Sequence, residues 1–191
     1  MTPELASRRA DASGGSDTAL LRESGVVECR TCEFLKIRDA GNAPPRDNIL
    51  RTDYWDVVHA FGTAIEGWTV LILRRHVAGI SELTDDEALD LGPLAKRVSR
   101  ALEDVLGCER TYVVLFAEDP AHAHVHIHVV PRFRDQPEEI RGYHVFTKLG
   151  LPDAESVPPE RMDELALAIH ACLTDERSQR GLSDTGPIIG C

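Results

Sequence analysis

The chain has 191 residues, enough for one ordinary domain with tails and enough to bury a core without disulfide staples. Its net charge of −11, from 21 Lys and Arg against 32 Asp and Glu, argues against general nucleic-acid binding, which depends on cations neutralising phosphates, and leaves open a small anionic ligand at a locally positive site. No membrane-spanning apolar run and no apolar signal-peptide core occur, so a cytoplasmic protein that neither crosses a membrane nor binds one is expected.

Residues 1–24 are rich in Ala, Ser, Gly, Asp and Arg and nearly devoid of large apolar side chains, the composition of a disordered leader. Cys29-Arg-Thr-Cys32 follows and runs into a short predicted helix at 33–37. The cysteines (29, 32, 108, 172 and 191) are sparse and odd in number, so they read as thiols or metal ligands before disulfides. A C-x-x-C pair alone is a redox pair, half of a metal site or a coincidence. No thioredoxin-like strand precedes it, and a tetrahedral zinc site needs two more ligands. The histidines at 76 and 122–128 are the rich supply.

Residues 41–46 form a turn, and 48–52 with 54–61 read as two short strands or one interrupted strand. Residues 68–73, W-T-V-L-I-L, bounded by Gly67 and Arg74-Arg75, form the next strand. Residues 81–105 are a helix pair or one long helix. Thr84 supplies a capping hydroxyl, Asp85, Asp86 and Glu87 fill the first turn, and Leu89, Leu91, Leu94, Val98, Leu102 and Val105 keep the helical period up to a stop at Gly107. A strand at 112–116 turns at 118–121 into a neighbouring antiparallel strand, a hairpin-like pair. Residues 142–150 are a short strand or an extended segment over the site, and 157–173 a helix with Pro159 near its first position. The expected division is a leader at 1–24, a domain at 25–150, a C-terminal helical extension at 151–174 and a tail at 175–191.

These elements surround residues 121–132, A-H-A-H-V-H-I-H-V-V-P-R, in which His122, His124, His126 and His128 fall on alternate positions. In a strand they share one face, and the apolar residues between them share the other. Pro131, lacking a donor, is expected to end the ladder. A solvated face would rarely choose histidine four times in seven residues. Neutral imidazole is a nucleophile near pH 7, and its neighbours can donate to phosphoryl oxygens or protonate a leaving group, so the row suits nucleotidyl transfer. A metal site competes with that reading.

His124-Val-His126-Ile-His128-Val129-Val130-Pro131-Arg132 resembles the signature of the histidine triad family, three alternating histidines with apolar fillers and a trailing Pro-Arg. The run from Gly67 to His76 resembles the family segment that precedes its main helix, and Cys29-x-x-Cys32 the cysteine pair that opens many members. The resemblance covers residues 27–135 and implies an α+β fold: a half-barrel of about five antiparallel strands with a long helix and a C-terminal helix packed on it, usually as a homodimer. It implies an enzyme, a hydrolase or transferase that cleaves a phosphoanhydride or phosphoramidate bond of a nucleoside phosphate. His126 is then the nucleophile, His128 the phosphate partner, and His124 orients the site; His122 sits at the rim near the leaving group. It also implies a structural zinc on Cys29, Cys32, His76 and His124, with no organic cofactor. The second strand departs from the family, leaving His59 as the polar side chain for the substrate, and Trp68 stands where many members have a histidine. The altered strand motivates a second reading, a zinc-stabilised nucleotide-binding or interaction protein with little catalysis.

Overall fold

The computed structural model describes residues 29–175. The expected leader and, Asp175 apart, the expected tail lie outside the described residues. Five strands, β1 (Leu50–Arg51), β2 (Trp55–His59), β3 (Thr69–Leu73), β4 (Arg110–Val114) and β5 (His126–Arg132), form one open antiparallel sheet in the order β1-β2-β3-β5-β4. With helices α1 (Arg30–Asp39), α2 (Asp85–Leu106) and α3 (Pro159–Thr174), the fold is α+β, as expected.

The two faces of the sheet follow the alternation in the sequence. Trp55, Val57, Leu71, Leu73, Ile127 and Val129 point to one side, where they pack with Leu94, Val98 and Leu102 of α2 and Leu165, Ile169 and Leu173 of α3. Each such buried aliphatic side chain stabilises the fold by roughly 1.5–3 kcal/mol. The other side presents Val58, Ala60, Val70, Ile72 and Val130 to Leu35 of α1 and to Val145.

Residues 85–106 form a single helix, although Pro93 lies inside it. Its start is a capping box: the Glu87 N–H donates to the Thr84 hydroxyl at 3.3 Å, and the Thr84 N–H donates to the Glu87 carboxylate at 2.7 Å. Gly107 ends it in the left-handed conformation, φ 64°. Glu87 is also gripped by the Arg75 guanidinium through two bonds of 2.8 and 2.7 Å, which holds its carboxyl down at about 2. Because that value lies below the ordinary carboxyl range, the stabilisation is complete above about pH 5 and is lost as pH falls from about 4.5 towards 2. Acid titrations of thermal stability should show this loss, and Glu87→Gln should flatten it; equal acid sensitivity in the two proteins would refute the assignment.

Two expectations are corrected. Pro131 does not end the strand. The Leu73 N–H donates to Val125 O, whereas the Glu109 N–H donates to Arg132 O, so odd positions of β5 address β3 and even positions address β4. The missing donor of Pro131 therefore faces the β3 side, where pairing has already finished at Thr69↔Val129, and the β4 ladder continues to Arg110↔Arg132. Residues Gly142–Lys148 are not a strand but 3-10 turns, with Thr63↔Leu149 as an isolated bridge beside them. This segment does lie over the site, carrying Phe146 into the pocket wall.

Candidate active site and metal centre

Helix α1 is fixed to the site face by buried charge. Asp56, on the same side of β2 as Val58, is fully buried and accepts from Arg38 of α1 at 2.6 Å and from Arg51 at 2.6 and 2.8 Å. Arg38 also donates to Asp47 O and Asn48 Oδ1, so its own donors are met. This places the first turn of α1, with Cys29 just ahead of it, beside the entry to β5.

There Cys29, Cys32, His76 and His124 converge, their four donor atoms all within 4.8 Å of one another. The sulfur–nitrogen separations are 3.7, 3.2 and 3.5 Å, and the two Nδ1 atoms are 3.3 Å apart. Tetrahedral angles with bonds of about 2.3 Å to sulfur and about 2.05 Å to nitrogen give edges of about 3.6 Å between sulfur and nitrogen and about 3.3 Å between two nitrogens. His124 donates its Nε2–H to Leu73 O at 2.6 Å, which leaves Nδ1 as the lone-pair atom facing the thiols. Burial and the neighbouring Cys29 push the Cys32 thiol up to about 11, so that sulfur needs a cation beside it to be held as a thiolate. The donor set and its spacing fit a tetrahedral metal ion.

His126 and His128 project from β5 into a cavity of about 780 Å³ on the site face. His126 donates Nδ1–H to the carbonyl of His124 at 2.7 Å, and its Nε2, without a partner among the described residues, opens on the cavity. Burial holds its pKa below the usual histidine range, so the ring is neutral near pH 7. His128 accepts at Nδ1 from the Trp68 indole N–H at 3.0 Å, and burial together with His126 pushes its pKa down to about 3. His122 lies one turn ahead of β5, its Nδ1 3.1 Å from the Thr31 hydroxyl, and borders the same cavity. The fourth imidazole of the row, His124, is turned to the cysteines instead. Phe34, Phe61, Phe116 and Phe146 give the cavity an aromatic wall, and Arg30 is the cation on its rim among the described residues.

His59, expected to meet the substrate, borders the cavity with both ring nitrogens paired within the protein. It is 1% exposed, donates Nδ1–H to Ala60 O at 2.6 Å and accepts the Gly67 N–H at Nε2, so neither ring nitrogen is available to a ligand. Three features escaped the sequence: the Trp68–His128 bond, the Thr31–His122 bond and the Asp56 anchor. Of the residues involved, Trp68 is the one that the sequence marks, since it stands where the resemblance places a histidine.

The HIT domain family model matches residues 43–135. No curated protein matches the sequence. The fold is similar to that of a hypothetical histidine triad nucleotide-binding protein from Sulfolobus tokodaii strain 7, with 16% identity, a TM-score of 0.59 and coverage of 82% of this chain and 99% of that one. It is also similar to a Zn-bound histidine triad family protein from Mycobacterium smegmatis, with 18% identity, a TM-score of 0.56 and coverage of 79% and 99%. A Hit-like protein involved in cell-cycle regulation from Bartonella henselae shares 16% identity with a TM-score of 0.53, over 72% of this chain and 91% of that one.

Proposed function

We propose, from the premise that this chain belongs to the histidine triad family through its HIT domain at residues 43–135, that it is a nucleotide hydrolase or nucleotidyl transferase working through a covalent nucleotidyl-histidine on His126. One observation carries the reading: His126 is a neutral imidazole with Nδ1–H fixed on a backbone carbonyl and Nε2 open to a cavity of nucleotide size. Nε2 attacks phosphorus, an N–P bond forms, and the bond from phosphorus to the leaving oxygen or nitrogen breaks. Its electron pair leaves with that atom, which takes a proton from His122 or from water. The positive charge on the phosphorylated ring is stabilised through Nδ1–H and the His124 carbonyl. His128 donates to a non-bridging oxygen. Water or another acceptor then attacks phosphorus and gives up its proton to His122 or to solvent, the N–P bond breaks with its electron pair returning to Nε2, and neutral His126 is restored.

The tetrahedral donor set supports zinc as the ion on Cys29, Cys32, His76 and His124, where it would tie α1 to the approach of β5. One zinc per chain is expected on metal analysis of gently purified protein. Cys32→Ser should lose it and melt at lower temperature. Protein that carries no stoichiometric metal, with a Cys32→Ser variant that melts like wild type, would remove zinc from the reading.

The enzymatic reading is tested by incubating the protein with adenosine phosphoramidate and with diadenosine tetraphosphate and following nucleotide release. A second reading, a zinc-stabilised nucleotide-binding protein, is favoured by the β2 side of the cavity, where Val58 and Ala60 are apolar and His59 has no free nitrogen. Binding without turnover across a nucleotide panel would select it.

A further inference from the structure

We infer that Trp68 is a positioning residue, whose indole N–H fixes the His128 ring as the tautomer that presents Nε2–H to the substrate phosphate. The inference deepens the proposed function and rests on it for the role of the phosphate, but not for the tautomer.

The indole is held from several sides. Trp68 is fully buried at the entry to β3, and its carbonyl accepts the Ala60 N–H at 2.7 Å. The residue before it, Gly67, has φ 74°, the left-handed region that glycine enters without strain, and a Cβ there would meet Leu106 Cδ1 at 2.3 Å. The Gly67 N–H is in turn committed to His59. Phe146 stands edge-on to both rings, 5.2 Å from the indole and 5.1 Å from the imidazole. Neither ring is placed by the hydrogen bond alone.

An indole nitrogen only donates. Its partner at 3.0 Å, His128 Nδ1, must therefore carry a lone pair, and the hydrogen of the neutral ring sits on Nε2. That atom has no partner among the described residues, and the ring borders the cavity, so Nε2–H is what a ligand meets. The opposite tautomer would set two N–H groups against each other and turn a lone pair towards phosphate oxygens. The imidazolium would bring the same clash at Nδ1. Burial of the ring, which pushes its pKa down to about 3, acts in the same direction. His128 is thus committed as a neutral donor before substrate arrives, with no tautomer change needed during the reaction. His126, next to it at a ring separation of 5.1 Å, has the opposite arrangement: Nδ1 donates and Nε2 keeps the lone pair. The two neighbouring imidazoles are set by different partners into different tautomers, one as nucleophile and one as donor.

Nitrogen-15 NMR of histidine-labelled protein tests this, with the His128 signals identified by their absence from His128→Asn. In wild type, Nε2 should be of the protonated type and Nδ1 of the lone-pair type at neutral pH. Trp68→Phe keeps a buried ring and removes the donor. It should give a mixture of tautomers and a kcat lower by about 10- to 100-fold, with KM changed less. A wild-type His128 protonated on Nδ1, or on both nitrogens, overturns the inference whether or not Trp68→Phe folds. So does a folded Trp68→Phe protein with an unchanged tautomer. If no nucleotide is turned over, the proposed function fails while the NMR result still decides the tautomer.

Discussion

His126→Ala is expected to lower kcat by on the order of 10⁴-fold or more while changing nucleotide affinity by less than about tenfold, because the side chain supplies a bond to phosphorus and little of the binding surface. The size of the effect follows from the state of the other imidazoles. His124 has Nε2–H on Leu73 O, so its one lone pair, at Nδ1, faces the cysteines and not the cavity. His128 has a lone pair only at Nδ1, which the indole occupies. His122 precedes the strand and is paired with Thr31. Neither His124 nor His128 can take over the attack. Initial rates on adenosine phosphoramidate and diadenosine tetraphosphate, with titration calorimetry of the product nucleotide, measure both quantities. A variant that keeps even a tenth of the wild-type rate would remove the covalent step from His126.

Asp56→Ala should destabilise the protein by about 3–5 kcal/mol, the usual cost of leaving a buried cation without its partner. Arg38 is 3% exposed and cannot move its charge to water without lifting α1 off the sheet. Arg51 loses both of its bonds to the same carboxylate but is one-third exposed and keeps Asp39, so its share of the loss is small. Denaturant unfolding would measure the difference, and the melting temperature should fall by roughly 10 °C. Because α1 carries Cys32 and Thr31, weaker metal retention should accompany the loss. A change under about 1 kcal/mol would mean that Arg38 finds water or another acceptor in place.

What the sequence disclosed was mostly periodic or local. The faces of β5, β3 and β2 follow from alternation, and α2 from its cap, its repeat and Gly107, all within reach of a short window. Pro131 misled because a strand has two neighbours, and a missing donor matters only on the side that is paired. Residues 142–148 include β-favouring Tyr, Val, Phe and Thr, but in place of a strand ladder only Leu149 bridges to Thr63, so the run coils into 3-10 turns. The candidate site mixes both kinds of information. The alternating histidines are legible as a cluster in the sequence itself. Which atom of each ring is free depends on Trp68, Leu73 O and His124 O, partners set by the folded backbone. His59 is the sharpest case: polar, on the expected strand, and consumed by Ala60 and Gly67.

The Cys/His cluster also bears on the closure entropy of the chain. It joins Cys32 to His76 and His76 to His124, positions 44 and 48 residues apart. Loops of that length carry a closure entropy that four side chains cannot offset until the strands have brought their ends together. The β3–β5 ladder, which holds the segments bearing His76 and His124, bears that cost, so the cluster adds only the attachment of α1 to a face the sheet already provides. A chain that loses its grip on α1 would open the wall of the cavity that Arg30, Thr31 and Phe34 supply, while the β3–β5 ladder keeps His126 and His128 in place.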